Sequence, residues 1–145
     1  MTHPRNHFAD SYTEARRKFL AAAKNADAVL GEYRHPLPGP CGEALFTDTA
    51  LLGNSNAERL VIVSSGVHGV EGFCGSACQI ALLHSGLLAG AKSCAILLVH
   101  ALNPFGFAHL RRTNEDNVDL NRNFVDHAHP PTNGDYERLH PLLVP

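Results

Sequence analysis

Two short apolar runs, Leu60 to Ser64 (Leu-Val-Ile-Val-Ser) and Cys94 to His100 (Cys-Ala-Ile-Leu-Leu-Val-His), constrain this chain more than any other feature. Both are nearly continuous and the first is rich in β-branched residues. A strand buried on both faces reads this way, as in a parallel or mixed sheet covered by helices. Between the runs, Gly66 to Gly72 reads as a loop and Phe73 to Leu83 as a helix ending near Gly86. The strand–loop–helix–strand order makes a crossover unit, a connection that is right-handed in nearly all proteins. The expected fold is therefore α/β, with a mixed, mainly parallel sheet flanked by helices. In such sheets ligands sit outside the carboxyl ends of the strands. Here both runs lead straight into polar segments, 64–72 and 100–124, which face one crevice if the strands are parallel neighbours.

The rest of the chain fits around that unit as a single domain spanning residues 1–145, a length that suits one core and not two. Ser11 to Ala26 sets Phe19, Leu20 and Ala23 among charged residues, and Ser11 followed by Glu14 matches a capping box. Ala28 to Tyr33 and Ala44 to Leu52 read as strands, separated by a turn at His35 to Gly42 that holds three prolines and two glycines. After Ala101 the chain turns polar and loop-rich, and it stops on the apolar run Leu142-Leu143-Val144-Pro145.

Composition excludes several classes. A net charge of −2 gives no electrostatic reason for nucleic acid or an anionic membrane as partner. No apolar run approaches the length that crosses a bilayer, and the polar N-terminus lacks the apolar core of a secretory signal. A cytoplasmic, bacterial-type protein is the default. Cys41, Cys74, Cys78 and Cys94 show no CxxC pair, and the plain expectation is small buried hydrophobes in a reducing compartment. Of the ten histidines, His3, His7, His35 and His140 read as surface residues.

The chemistry-bearing residues begin with His68-Gly69-Val70-Glu71. A His and a Glu three apart, on a Gly-flanked turn leaving a strand, can aim both side chains at one point. Imidazole nitrogen and carboxylate oxygen are two of the ligands a catalytic zinc ion (Zn2+) uses. Past the next strand come Asn103-Pro104-Phe105-Gly106, Arg111-Arg112-Thr113-Asn114 and Val118-Asp119-Leu120-Asn121-Arg122-Asn123-Phe124. A loop that gathers arginines and asparagines suits anions, because Arg presents a planar fork that binds carboxylate bidentately.

In this order and spacing, these motifs resemble the zinc metallocarboxypeptidases. His35-Pro-Leu-Pro-Gly-Pro and Gly72-Phe-Cys-Gly-Ser-Ala-Cys-Gln resemble more closely a bacterial branch known only as a domain of unknown function. The resemblance runs from about Phe8 to Pro145. It implies a zinc-carboxypeptidase-like (phosphorylase/hydrolase-like) fold and a zinc-dependent hydrolase that cleaves a peptide or amide bond next to a free carboxylate. It implies His68 and Glu71 as zinc ligands and Arg112 as the group that polarises the carbonyl, with Arg111 the weaker candidate by spacing. Asn121 and Arg122 would grip the substrate carboxylate. Asp119 would orient His68 through its other ring nitrogen, or hold the loop.

The resemblance also demands another His ligand and a general-base Glu further along, and the chain ends 23 residues past Arg122. His127 and His129 lie too close to the Asp-Leu-Asn-Arg motif, and His140 and Glu137 lack the flanking pattern. The expectation is a truncated N-terminal part of the catalytic domain, inactive or nearly so alone, that self-associates through an exposed sheet edge. The expected partner is a small peptide or acyl-amino-acid substrate, with no nucleic acid and no membrane. Two alternatives remain: an N-acyl amino acid deacylase of the aspartoacylase-like branch, and a non-catalytic pseudoenzyme that binds a carboxylate ligand.

Overall fold

Ser11 starts the first helix, α1 (Tyr12–Asn25), with its side chain accepting a hydrogen bond from the Glu14 amide at 3.2 Å. The returning Glu14 carboxylate reaches the amide of Asp10, one residue before the cap, at 2.9 Å. One first-turn donor is thereby satisfied by Ser11, and the Glu14 carboxylate reaches one residue further back than in a standard capping box. Tyr12, Ala15, Phe19, Ala22 and Ala23 form the buried stripe of this helix. These details come from a computed structural model that describes residues 3–54, 56–90 and 93–143.

Four strands follow, β1 (Val29–Pro38), β2 (Ala44–Gly53), β3 (Leu60–Ser64) and β4 (Ala95–His100), arranged β1-β2-β4-β3 in one sheet. β3 and β4 are parallel neighbours, with α2 (Gly72–His84) as the crossover between them. The other two pairings, β1 with β2 and β2 with β4, are antiparallel. The sheet is therefore mixed and mostly antiparallel, which corrects the expectation of a mainly parallel one. For the β1–β2 pair the cause is the segment at residues 39–43. Gly39 N–H donates to Glu43 O at 2.8 Å, Gly42 takes φ +81°, and the Glu43 carboxylate accepts from the Cys41 amide. That is a hairpin, and a hairpin joins antiparallel strands.

β1 also runs through His35 to Pro38, which the sequence reading assigned to the turn. Proline removes a ladder donor and so belongs on an edge strand; β1 is the sheet's edge.

The helices α1 and α2 pack together on one sheet face. Phe19, Ala22 and Ala23 of α1 and Ile80 and Leu83 of α2 meet Ala50 and Leu52 of β2 and Ile96 and Leu98 of β4. Complete burial of a side chain such as Phe19 or Leu98 stabilises by about 1.5–3 kcal/mol. A smaller cluster of Tyr12, Ala15, Leu45, Ala101 and Phe107 closes the end where β3 and β4 terminate. Phe107 belongs to α3 (Pro104–Ala108).

β3 departs from its expected burial on both faces. It is the opposite edge of the sheet, and Leu60, Val61 and Ile62 are each about half exposed or more. The last helix, α4 (Gly134–Leu143), has no buried residue. Val144 and Pro145, the end of the apolar run noted above, lie outside the described residues. No described helix is long and apolar enough to cross a membrane.

Candidate metal and anion site

The parallel pairing of β3 with β4 points both carboxyl ends the same way, and the two loops that leave them are locked by backbone hydrogen bonds. Leu102 and Asn103 donate to Ser65 O and Gly66 O, each at 2.9 Å, and Gly69 donates to Arg111 O at 2.9 Å. The Asn103 side chain caps α3 by accepting from Gly106 N–H at 2.8 Å, and its amide nitrogen donates to Val67 O at 3.2 Å. Gly69 has to be glycine here, since a Cβ would stand 2.1 Å from Gly106 O and 2.5 Å from Arg111 O. Nearby, the buried Ala101 takes φ +56°, a left-handed conformation that costs a non-glycine residue free energy.

This clamp sets His68 in place with a buried ring. Its Nε2 lies 2.9 Å from Asp119 Oδ1, and its Nδ1 lies 3.3 Å from Glu71 Oε2. Asp119 also accepts from Arg112 Nε at 2.8 Å and, within its own turn, from the Asn121 amide at 2.9 Å. The hydrogen bond to His68, with help from Arg112 and the Asn121 amide, pulls the Asp119 carboxyl down to about 2. Glu71 is the N-cap residue of α2 yet gives its own helix no side-chain bond; its carboxylate is 74% exposed and turned toward His68 instead.

These residues fit part of a zinc site on geometric grounds. If Nε2–H donates to Asp119, Nδ1 and the Glu71 carboxylate are two acceptors facing each other, an arrangement that a shared cation satisfies. A tetrahedral ion with bonds near 2.0–2.1 Å spaces its ligands by about 3.4 Å, and the Nδ1–Oε2 separation is 3.3 Å. Asp119 has the position of the carboxylate that usually fixes a metal-bound imidazole. No group of three or more His, Cys, Asp or Glu side chains able to hold a metal occurs among the described residues. The pair therefore fits two of the three protein positions of a catalytic zinc.

The arginines and asparagine separate into three situations. Arg112, half exposed, uses Nε for Asp119 and has no partner for its other guanidinium nitrogens among the described residues. Arg111 turns into the loop, reaching Asn117 Oδ1 at 3.3 Å and lying over the Phe105 ring. Asn121 and Arg122 are exposed on a short 3-10 turn (Leu120–Arg122), and Arg122 Nη1 donates only to Asn121 O at 3.1 Å. The structure thus brings His68, Glu71, Asp119 and Arg112 together in one chain of polar contacts. It leaves Arg111 outside that chain and Asn121 and Arg122 on its rim.

Beneath lies a buried polar layer that the sequence reading did not single out. Ser65 Oγ donates to Gln79 Oε1 at 2.8 Å, and Gln79 Nε2 donates to Val63 O and Val99 O, tying α2 to the ends of both strands. His100 stacks on Phe19 with ring centroids 4.5 Å apart and shares a 2.9 Å hydrogen bond with Ser76 Oγ. Burial pushes the His100 imidazole down to about 3, and the nearby Arg16 adds to the shift. The only sequence signal was a histidine ending an apolar strand.

The fold and this cluster define an α/β protein with a His–Glu–Asp–Arg site at the carboxyl ends of two parallel strands. The chain belongs to the family described as protein of unknown function DUF2817, whose profile matches residues 8–145. No curated protein matches it. Among solved structures it is similar to the glutaminyl cyclase of Porphyromonas gingivalis, at 16% identity and a TM-score of 0.38. That match covers 69% of this chain and 48% of the other. The chain spans about half the length of that protein.

Proposed function

We propose that this chain carries two ligands and the anion-binding rim of a zinc-dependent hydrolase of the metallocarboxypeptidase-like class. The bond cleaved would be a peptide or amide bond next to a free carboxylate. The observation that carries the reading is the convergence of His68 Nδ1 and Glu71 Oε2 at 3.3 Å, with His68 Nε2 held by Asp119.

His68 and Glu71 would hold the ion, and Asp119 keeps His68 in the tautomer that frees Nδ1. Zinc, when bound, supplies a Lewis acid and an acidified water. Arg112 presents its unpaired guanidinium nitrogens to the carbonyl oxygen on which negative charge develops, and anchoring Nε on Asp119 spares part of the cost of ordering it. Asn121 and Arg122 provide an amide and a guanidinium for the substrate carboxylate, a pairing that Arg makes bidentately. A third protein ligand and a general base are the parts this reading still requires.

The test is a binding comparison on the zinc-loaded chain, using a short peptide with a free carboxyl terminus and the same peptide amidated. The reading expects the free acid to bind more tightly, and Arg122→Ala to remove that preference. Equal binding of the two peptides would exclude a carboxylate-directed rim. N-acyl amino acids in the same assay separate the deacylase alternative, which uses the same residues.

A further inference from the structure

The sequence reading placed the cysteines in the core, and the structure corrects it. Cys41, Cys74 and Cys78 are exposed and Cys94 is half-buried, all as free thiols. Their patterns were misleading because the helix that carries two of them buries its other side, through Ser76, Ala77, Gln79, Ile80 and Leu83.

Cys74 and Cys78 stand one turn apart on the exposed side of α2, at positions i and i+4, where side chains lie one above the other. The two thiols sense each other: partial desolvation, and after it the neighbouring Cys74, raise the Cys78 thiol above its ordinary value. We propose that Cys74 and Cys78 form a two-thiolate site for one soft, thiophilic cation of the Cu(I) class, separate from the nitrogen–oxygen site at His68 and Glu71.

Helix geometry favours an ion over a disulfide. Residues i and i+4 keep their Cβ atoms about 5–6 Å apart, whereas a disulfide requires about 3.5–4.5 Å. Closing an S–S bond would distort the helix turn that continues from Glu71. A bridging ion removes the conflict, because two metal–sulfur bonds of about 2.3 Å each let the sulfurs stand up to about 4.6 Å apart. Thiolates select soft ions, and Cu(I) among the biological ones. Binding takes one cation, forms two metal–sulfur bonds and releases the two thiol protons, with no change of oxidation state.

Anaerobic titration of the reduced chain with Cu(I), in competition with a chromogenic Cu(I) chelator, tests this. The expected result is one ion per chain, thiolate-to-copper absorption in the ultraviolet, and two protons released. Cys74→Ser and Cys78→Ser should each weaken the site by about a hundredfold or more, since one thiolate loses the chelate gain. Both residues are exposed, so neither change disturbs the core. Cys41→Ser, Cys94→Ser and His68→Ala should leave the site intact. Retention of tight binding by either Cys74→Ser or Cys78→Ser would overturn the proposal. So would closure of a Cys74–Cys78 disulfide by oxidised glutathione with the helical circular dichroism unchanged.

Discussion

Residues 100–119 and residues 121–143 follow one another in the chain, and the fold holds them in different ways. The first stretch is tied to the loop between β3 and α2 through Leu102, Asn103, Arg111 and Asp119, and it brings Arg112 to the carboxylate that holds the His68 ring. In the second, every residue is exposed, and α4 is held by its own short-range bonds, such as Arg138 to Asp135 and His140 to Tyr136. The half of the candidate site proposed to face a metal is therefore held in place by packing and hydrogen bonds. Asn121 and Arg122, proposed to face the substrate carboxylate, sit exposed on a three-residue turn anchored, among the described residues, only at its Asp119 cap. Tight loops and buried bonds hold a geometry that a ten-residue helix with no buried residue cannot hold for itself.

Gly69→Ala should have the largest effect, because the added carbon meets two carbonyl oxygens of the clamp. A loss of about 3 kcal/mol or more in urea unfolding is expected, at the severe end for single substitutions. A change below about 1 kcal/mol would show that the clamp yields easily. Acid comes next. His100 is buried neutral with its folded pKa near 3 against an ordinary 6.5, so its contribution is complete above pH 6.5 and is lost as pH falls toward 3. Stability should drop over that window by at most about 1.4 kcal/mol per pH unit for one proton. His100→Phe, which keeps the ring against Phe19, should flatten the slope; an unchanged slope would assign the acid sensitivity elsewhere.

Asp119→Asn should weaken zinc binding by about 10–100-fold while the fold persists, as loss of a carboxylate behind a ligating imidazole does. Calorimetry on folded protein measures it, and an unaltered affinity would detach Asp119 from the site. The smallest effect belongs to the exposed stretch. Arg122→Ala and Phe124→Ser should move stability by no more than about 0.5 kcal/mol, with amides of 134–143 exchanging far faster than those of β2 and β4. Strong protection in α4 would erase the contrast between the two stretches. The half-exposed β3 edge adds a proposal about association: sedimentation should show concentration-dependent self-association that Ile62→Lys reduces, since an apolar strand edge templates pairing.

Local signals were legible in the sequence where one element decides the outcome. Ser11 and Glu14 marked the start of α1 to within a residue, and Leu60 to Ser64 and the run to His100 are the two parallel strands. Burial and strand direction were not legible, because both depend on what packs alongside. An apolar run at a sheet edge looks the same as one at the centre, so β3 was expected to be covered on both faces. The hairpin at Gly39 to Glu43 was hidden by prolines that read as a loop. In the site, His68 and Glu71 follow from spacing within one turn. The Asp119 contact joins residues 51 positions apart, so spacing alone could not supply it; the family resemblance suggested it as one of two roles, and the β3–β4 pairing brings the two residues together.

The central claim, that His68 Nδ1 and Glu71 share a divalent cation while Asp119 holds Nε2, is tested most directly by nitrogen-15 NMR of the imidazoles during zinc titration. The account predicts that the His68 Nδ1 resonance moves on zinc addition, that its Nε2 stays protonated, and that Glu71→Gln weakens the response. Metallation at Nε2, or saturable zinc binding that is unchanged in His68→Ala, would contradict it.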